Sequence, residues 1–89
     1  MFRTTLIAAT LSIAFAGAHA AQPLQVKVYN ADGNSFNVNS TLVYGEKEAM
    51  VIDAGFTRAD ALRIAANVLD SGKQLTTIYV SQADPDYYF

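Results

Sequence analysis

The feature that most constrains the fold is a strand–helix–strand pattern between residues 50 and 80. Residues 49–52 form a short continuous apolar run, typical of a buried strand, and a Gly-containing turn follows it. Thr57, with Asp60 three positions later, predicts the N-terminal cap of a helix. Apolar residues then recur at helical spacing and are expected to share one face, at Ala61, Leu62, Ile64, Ala65, Val68 and Leu69. Ser71 and Gly72 are expected to end the helix. Residues 75–80 supply the second strand, and because such crossovers join neighbouring parallel strands, the sequence predicts an α/β fold.

The residues before this unit predict a β-hairpin. Residues 24–29 and 36–44 alternate apolar and polar side chains with a period of two, and the turn-forming residues 30–34 separate them. A second turn is expected near Gly45, which leads into the strand–helix–strand unit. The predicted order is therefore an N-terminal β-hairpin followed by a β-α-β unit. In the first strand, we expect the core-facing side chains to be Leu24, Val26 and Val28.

The first twenty residues have the pattern of a secretory signal peptide. Arg3 precedes an apolar run over residues 6–16, and Ala18 and Ala20 place small residues at the two positions that determine cleavage. The run is shorter than the roughly 20 residues that a membrane-spanning helix needs. We therefore expect cleavage before Ala21 and an exported product, periplasmic or secreted, that is not attached to a membrane.

Residues 21–89 make a small, acidic domain. A chain of this length buries only about 60% of its unfolded surface, so it can hold one core. It carries five basic and eight acidic side chains, a balance that does not favour nucleic acid as a partner. The sequence has no cysteine, so it forms no disulfide despite the expected export.

Three carboxylates follow the two predicted parallel strands. Asp53 ends the first strand, while Asp84 and Asp86 follow the second, with Pro85 between them holding the segment extended or turned. Residues 77–80 of that second strand are β-branched and aromatic, which predicts that it is mostly buried. Because parallel strands end at one edge of a sheet, where ligands commonly bind, we expect the three carboxylates to converge there. A hard cation, a shared proton or a basic partner would relieve their repulsion.

Each of these acids also has a purely structural interpretation. Asp53 would accept hydrogen bonds from backbone amides in its own turn, and Asp86 would cap a following helix. Asp84 would be a solvated loop residue. Both interpretations remain open at the level of the sequence.

Three segments together carry a resemblance to a known family. Residues 39–43 read Asn-Ser-Thr-Leu-Val, residues 49–55 read Ala-Met-Val-Ile-Asp-Ala-Gly, and residues 78–87 read Ile-Tyr-Val-Ser-Gln-Ala-Asp-Pro-Asp-Tyr. In order and spacing they resemble the opening of the metallo-β-lactamase superfamily fold, an αββα sandwich. The resemblance implies that residues 21–89 are the N-terminal part of such a domain and that the chain is truncated.

The resemblance also implies roles for individual residues. The family's metal-binding segment reads T-H-x-H-x-D-H, and its residues ligate one or two metal ions, usually zinc. Ser81 stands at the threonine position, Asp86 keeps the aspartate, and three residues stand at the histidine positions: Gln82, Asp84 and Tyr87. Asp53 matches the acid that supports the metal site. On this basis Asp86 is a ligand or base, and Asp84 and Asp86 are candidate ligands for a divalent metal.

Two functional hypotheses follow from these residues. The first is a metal-dependent hydrolase of a small-molecule substrate, with a remodelled metal-binding motif. Residues 21–89 contain neither histidine nor cysteine, the ligands that zinc prefers, so they do not complete a usual zinc site by themselves. The second is a non-enzymatic exported domain that binds a ligand or a partner protein at the carboxyl edge of its sheet.

Overall fold

A computed structural model describes residues 23–89, which form one four-stranded sheet with one α-helix. The predicted signal peptide, residues 1–20, lies outside the described residues. The elements in chain order are β1 (Gln25–Asn30), β2 (Asn39–Tyr44), β3 (Glu48–Ile52), α1 (Arg58–Ser71) and β4 (Gln74–Tyr79). Two short 3-10 turns, Gly33–Ser35 and Pro85–Tyr87, follow β1 and β4. No helix in this part of the chain is long and apolar enough to span a bilayer.

The sheet has the strand order β1-β2-β3-β4. β1 and β2 pair antiparallel, as do β2 and β3, whereas β3 and β4 pair parallel. The turn between β2 and β3 is closed by a hydrogen bond of 2.9 Å from the Gly45 amide to the Glu48 carbonyl. The predicted mixed α/β fold, with its hairpin and its parallel β-α-β unit, is therefore confirmed.

The helix begins and ends where its capping residues predict. The Asp60 amide donates to Thr57 Oγ1 at 3.1 Å, which satisfies one of the free amides of the first turn. At the other end, Gly72 adopts a left-handed conformation with φ of 69°, and its amide donates to the Leu69 carbonyl. The residues at the two ends of α1 thus set its boundaries.

The core lies between α1 and one face of the sheet. Its buried residues are Leu42, Ala49, Val51, Ile64 and Val68. The expectation that every apolar residue of α1 shares one face is wrong for Leu62 and Leu69, which are exposed. These two residues are seven positions apart, so they lie together on a different side of the helix from Ile64 and Val68.

The apolar side chains of β1 face away from the helix, contrary to the expectation that they join the core. Val26 is 63% exposed and Val28 is 49% exposed. The register pairs Val26 with Val43 and Val28 with Thr41, so these side chains share the sheet face opposite α1. Alternation correctly identified the strand, but it could not determine which of the two faces the single helix covers.

The second sheet face carries two rows of side chains across all four strands. The first row is Val26, Val43, Met50 and Thr77, and the second is Val28, Thr41, Ile52 and Tyr79. We call this surface the open face, because nothing within residues 23–89 forms a layer over it.

Two further expectations about local structure differ from what is observed. β4 was expected to be mostly buried, but all six of its residues are exposed, because it is an edge strand within the described sheet. The second strand was expected to start at Phe36, but it starts at Asn39. Phe36 and Asn37 instead have left-handed backbone angles after the first 3-10 turn. The turn between β1 and β2 therefore extends further along the chain than the alternation indicated.

Candidate functional site

Asp53 lies at the point where β3 ends, at the edge of the sheet that we call the carboxyl rim (residues 53–56 and 81–89). Its amide donates to the Tyr79 carbonyl at 2.8 Å, which extends the pairing of β3 and β4 by one residue. Its φ of 64° lies in the left-handed region, which aspartate tolerates better than most residues. Asp53 is only 7% exposed. The chain therefore turns sharply at Asp53 and points its carboxylate into the rim.

Both oxygens of the Asp53 carboxylate accept hydrogen bonds from Ser81, which lies two residues beyond the end of β4. The Ser81 amide donates to Oδ1 at 2.8 Å, and the Ser81 hydroxyl donates to Oδ2 at 2.7 Å. Hydrogen bonds to a charged acceptor are stronger than those between neutral groups. Asp53 therefore lies beside the segment that follows β4, as predicted. The expected convergence of Asp53, Asp84 and Asp86 is not observed as a metal-holding group, since residues 23–89 contain no such cluster of three acids.

The segment that carries Asp84 and Asp86 is attached to the rim at a second point. The Ala54 amide donates to the Tyr87 carbonyl at 2.8 Å. Asp84 precedes the 3-10 turn Pro85–Tyr87, but its side chain makes no capping hydrogen bond, and it is exposed. Asp86 is half-buried in the first turn. Of the other proposed ligand positions, Gln82 is exposed and Tyr87 is half-buried.

The donor atoms of the rim do not fit a zinc ion by themselves. Within residues 23–89 there is no group of three or more His, Cys, Asp or Glu side chains arranged to hold a metal. Both carboxylate oxygens of Asp53 already accept hydrogen bonds from Ser81. Asp84 and Asp86 remain as oxygen donors, the type that hard divalent cations prefer.

A second cluster, centred on Asp60, was not predicted beyond its role in capping the helix. Asp60 is 3% exposed. Its Oδ1 accepts from Tyr29 Oη at 2.6 Å, and its Oδ2 accepts from Thr57 Oγ1 at 2.7 Å and from Ser35 Oγ. Arg63 Nη1 lies 3.4 Å from Oδ1. The only sequence signal was the spacing of Thr57 and Asp60, since Tyr29 and Ser35 are distant along the chain.

These contacts determine the ionisation of Asp60. The hydrogen bonds from Ser35, Tyr29 and Thr57 hold the pKa of the Asp60 carboxyl well below its ordinary value, because they stabilise the charged form more than burial destabilises it. The hydrogen bond to Asp60 also raises the pKa of Tyr29. Asp60 is therefore a charged group with its acceptors occupied, which joins β1, the first 3-10 turn and the start of α1.

Three aromatic side chains lie close together near the start of α1, and two of them, Phe56 and Phe89, belong to the carboxyl rim. The ring centroids of Phe36 and Phe56 are 5.4 Å apart in an edge-to-face arrangement, and those of Phe56 and Phe89 are 5.9 Å apart. An open groove of about 490 Å³ runs beside them, lined by Phe56, Thr57, Arg58, Ala61 and Phe89. The rim therefore combines an acidic segment with an apolar surface.

The carboxyl rim thus carries the Asp84 and Asp86 carboxylates, and it contributes Phe56 and Phe89 to an apolar groove. Hydrogen bonds from Ser81 to Asp53 and from Ala54 to Tyr87 attach the acidic segment to the end of β3. Such a surface could bind an oxygen-preferring cation or an apolar group of a ligand. Comparison of the chain with protein-family models, with curated proteins and with solved structures found no match.

Proposed function

We propose that residues 21–89 are the N-terminal part of an αββα sandwich of the metallo-β-lactamase type, within an exported hydrolase of a small-molecule substrate. The order of the elements supports this proposal, since a hairpin leads into a parallel β-α-β unit. The open face supports it as well. Apolar side chains on the face opposite a helix are typical of a sheet that packs against a further layer, and a second sheet would supply such a layer.

The pairing of Asp53 with Ser81 is the observation that carries the proposal. In the resemblance, Asp53 is the acid that supports the metal site, and Ser81 is the first residue of the metal-binding segment. Two hydrogen bonds join these residues across the parallel strands. Asp84 and Asp86 are the proposed ligands for a divalent metal, with Asp86 as ligand or base. Gln82 and Tyr87 occupy the other ligand positions.

The second candidate function is a non-enzymatic exported domain that binds a ligand or a partner protein at the carboxyl rim. The chemistry of the donors favours it. Residues 23–89 contain no histidine or cysteine, the side chains that zinc prefers as ligands. In this case the rim keeps the geometry of the fold without the ligands of a zinc site.

Metal analysis of matched variants separates the two candidates. Wild type, Asp86→Ala and Asp70→Ala would be equilibrated with manganese, a divalent ion that carboxylate oxygens suit, then dialysed and analysed by mass spectrometry. Asp70 is an exposed acid on α1, away from the rim, so its variant controls for the loss of one charge. The hydrolase proposal predicts stoichiometric metal in wild type and Asp70→Ala, and a loss of metal in Asp86→Ala.

Two other outcomes would contradict parts of the proposal. Equal metal content in all three proteins would exclude Asp86 as a ligand. Wild type without stoichiometric metal would favour the binding domain instead. The reading frame around these residues gives a second test, because histidine and aspartate codons following later strands are expected only for the hydrolase.

A further inference from the structure

We draw no further inference here: the strongest candidate, the open face of the sheet opposite α1, already supports the proposed sandwich, and nothing in the structure shows whether a second copy, a partner or another part of the same chain covers it.

Discussion

Asp60 holds three parts of the chain together through one carboxylate. Its hydroxyl donors come from β1, from the first 3-10 turn and from the residue that caps α1. Removal of this buried carboxylate would leave each of these donors without its acceptor. The hydrogen bonds of this cluster therefore contribute to stability. Because they are made to the charged form of Asp60, that contribution depends on pH.

We expect Asp60→Asn to destabilise the fold by about 2 kcal/mol near neutral pH, since the charged acceptor of three hydroxyl groups is lost. The pKa of Asp60 is lower in the folded chain than its ordinary value of 3.8. The unfolded chain therefore binds the proton first, and the stabilisation is lost as the pH falls from about 5 toward the folded-state pKa. The difference between wild type and Asp60→Asn should thus shrink in acid.

Urea unfolding at several pH values would measure this difference. Asp70→Asn serves as the control, because it removes an exposed carboxylate of the same helix and should keep the pH dependence of wild type. A difference between wild type and Asp60→Asn that stays constant from neutral pH to about pH 3 would show that Asp60 is not the titrating group.

Asp53 combines a left-handed backbone with two hydrogen bonds to Ser81. Asp53→Ala should cost about 2–3 kcal/mol, because it removes both hydrogen bonds and places alanine in a strained backbone conformation. Asp53→Asn should cost about 1 kcal/mol or less, since asparagine tolerates the left-handed region and keeps an acceptor for the Ser81 amide. Denaturant unfolding of both variants would test this order.

The same pair of variants separates a local effect from a global one. Amide hydrogen exchange in residues 81–89 should become faster in Asp53→Ala than in Asp53→Asn, because that segment is attached through Ser81. Equal exchange in the two variants would mean that the Asp53 carboxylate does not hold the segment.

Among the elements, α1 is the one whose boundaries follow most directly from local chemistry. Thr57 caps its start, and Gly72 ends it with a φ of 69°. A Cβ atom at Gly72 would meet nothing within 4 Å, so only the backbone conformation distinguishes this glycine from an alanine. Gly33 has equally open surroundings and lacks a left-handed φ, which makes it a matched control.

We therefore expect Gly72→Ala to destabilise the fold by about 1 kcal/mol and Gly33→Ala by less than about 0.5 kcal/mol. For a domain of this size, the first change corresponds to a fall in melting temperature of roughly 5 °C. Thermal unfolding followed by circular dichroism would measure both variants. Similar melting temperatures for the two variants would contradict the assignment of Gly72 as the helix cap.

The strands of the sheet were less completely predictable than the helix. Alternation correctly indicated β1 and β2, and the continuous apolar run correctly indicated β3. Alternation alone, however, cannot distinguish a face that is covered by a helix from one that is left open. The burial of β4 was overestimated for a related reason, since β-branched residues also occur in edge strands when no further strand lies beside them.

For the molecule as a whole, the two faces of the sheet differ in what covers them. Leu42 on the helix side is 3% exposed, whereas Val28 on the open face is largely accessible. An exposed apolar surface of this kind commonly marks a site of interaction. The stability of the described residues should therefore depend on only one of the two faces.

Leu42→Ala should destabilise the fold by about 3 kcal/mol, because it leaves a cavity between the sheet and α1. Val28→Thr keeps the shape of the side chain on the open face and should change stability by less than about 0.5 kcal/mol. It should also reduce the binding of a dye that reports exposed apolar surface. Denaturant unfolding and dye fluorescence would test both expectations.

A large loss of stability in Val28→Thr would show that something covers the open face in solution. A dependence of that loss on protein concentration would identify a second copy of the chain as the cover. A loss that is independent of concentration would instead point to residues of the same chain.

The sequence by itself determined the elements whose signals are local. The period of the side chains, the cap at Thr57 and the glycine after Ser71 act over a few residues, so the hairpin, α1 and the parallel β-α-β unit could be predicted from them. The position of Asp53 beside the segment that follows β4 could also be predicted, because parallel strands end at the same edge.

Only the tertiary structure decided how distant residues combine. The four residues that surround Asp60 come from three separate segments, and no local pattern joins Tyr29 or Ser35 to the start of a helix. Tertiary packing likewise decided that α1 covers the Leu42 side of the sheet and leaves Val28 open. Both outcomes depend on contacts between residues that are far apart along the chain, and these form only when the layers of the fold assemble.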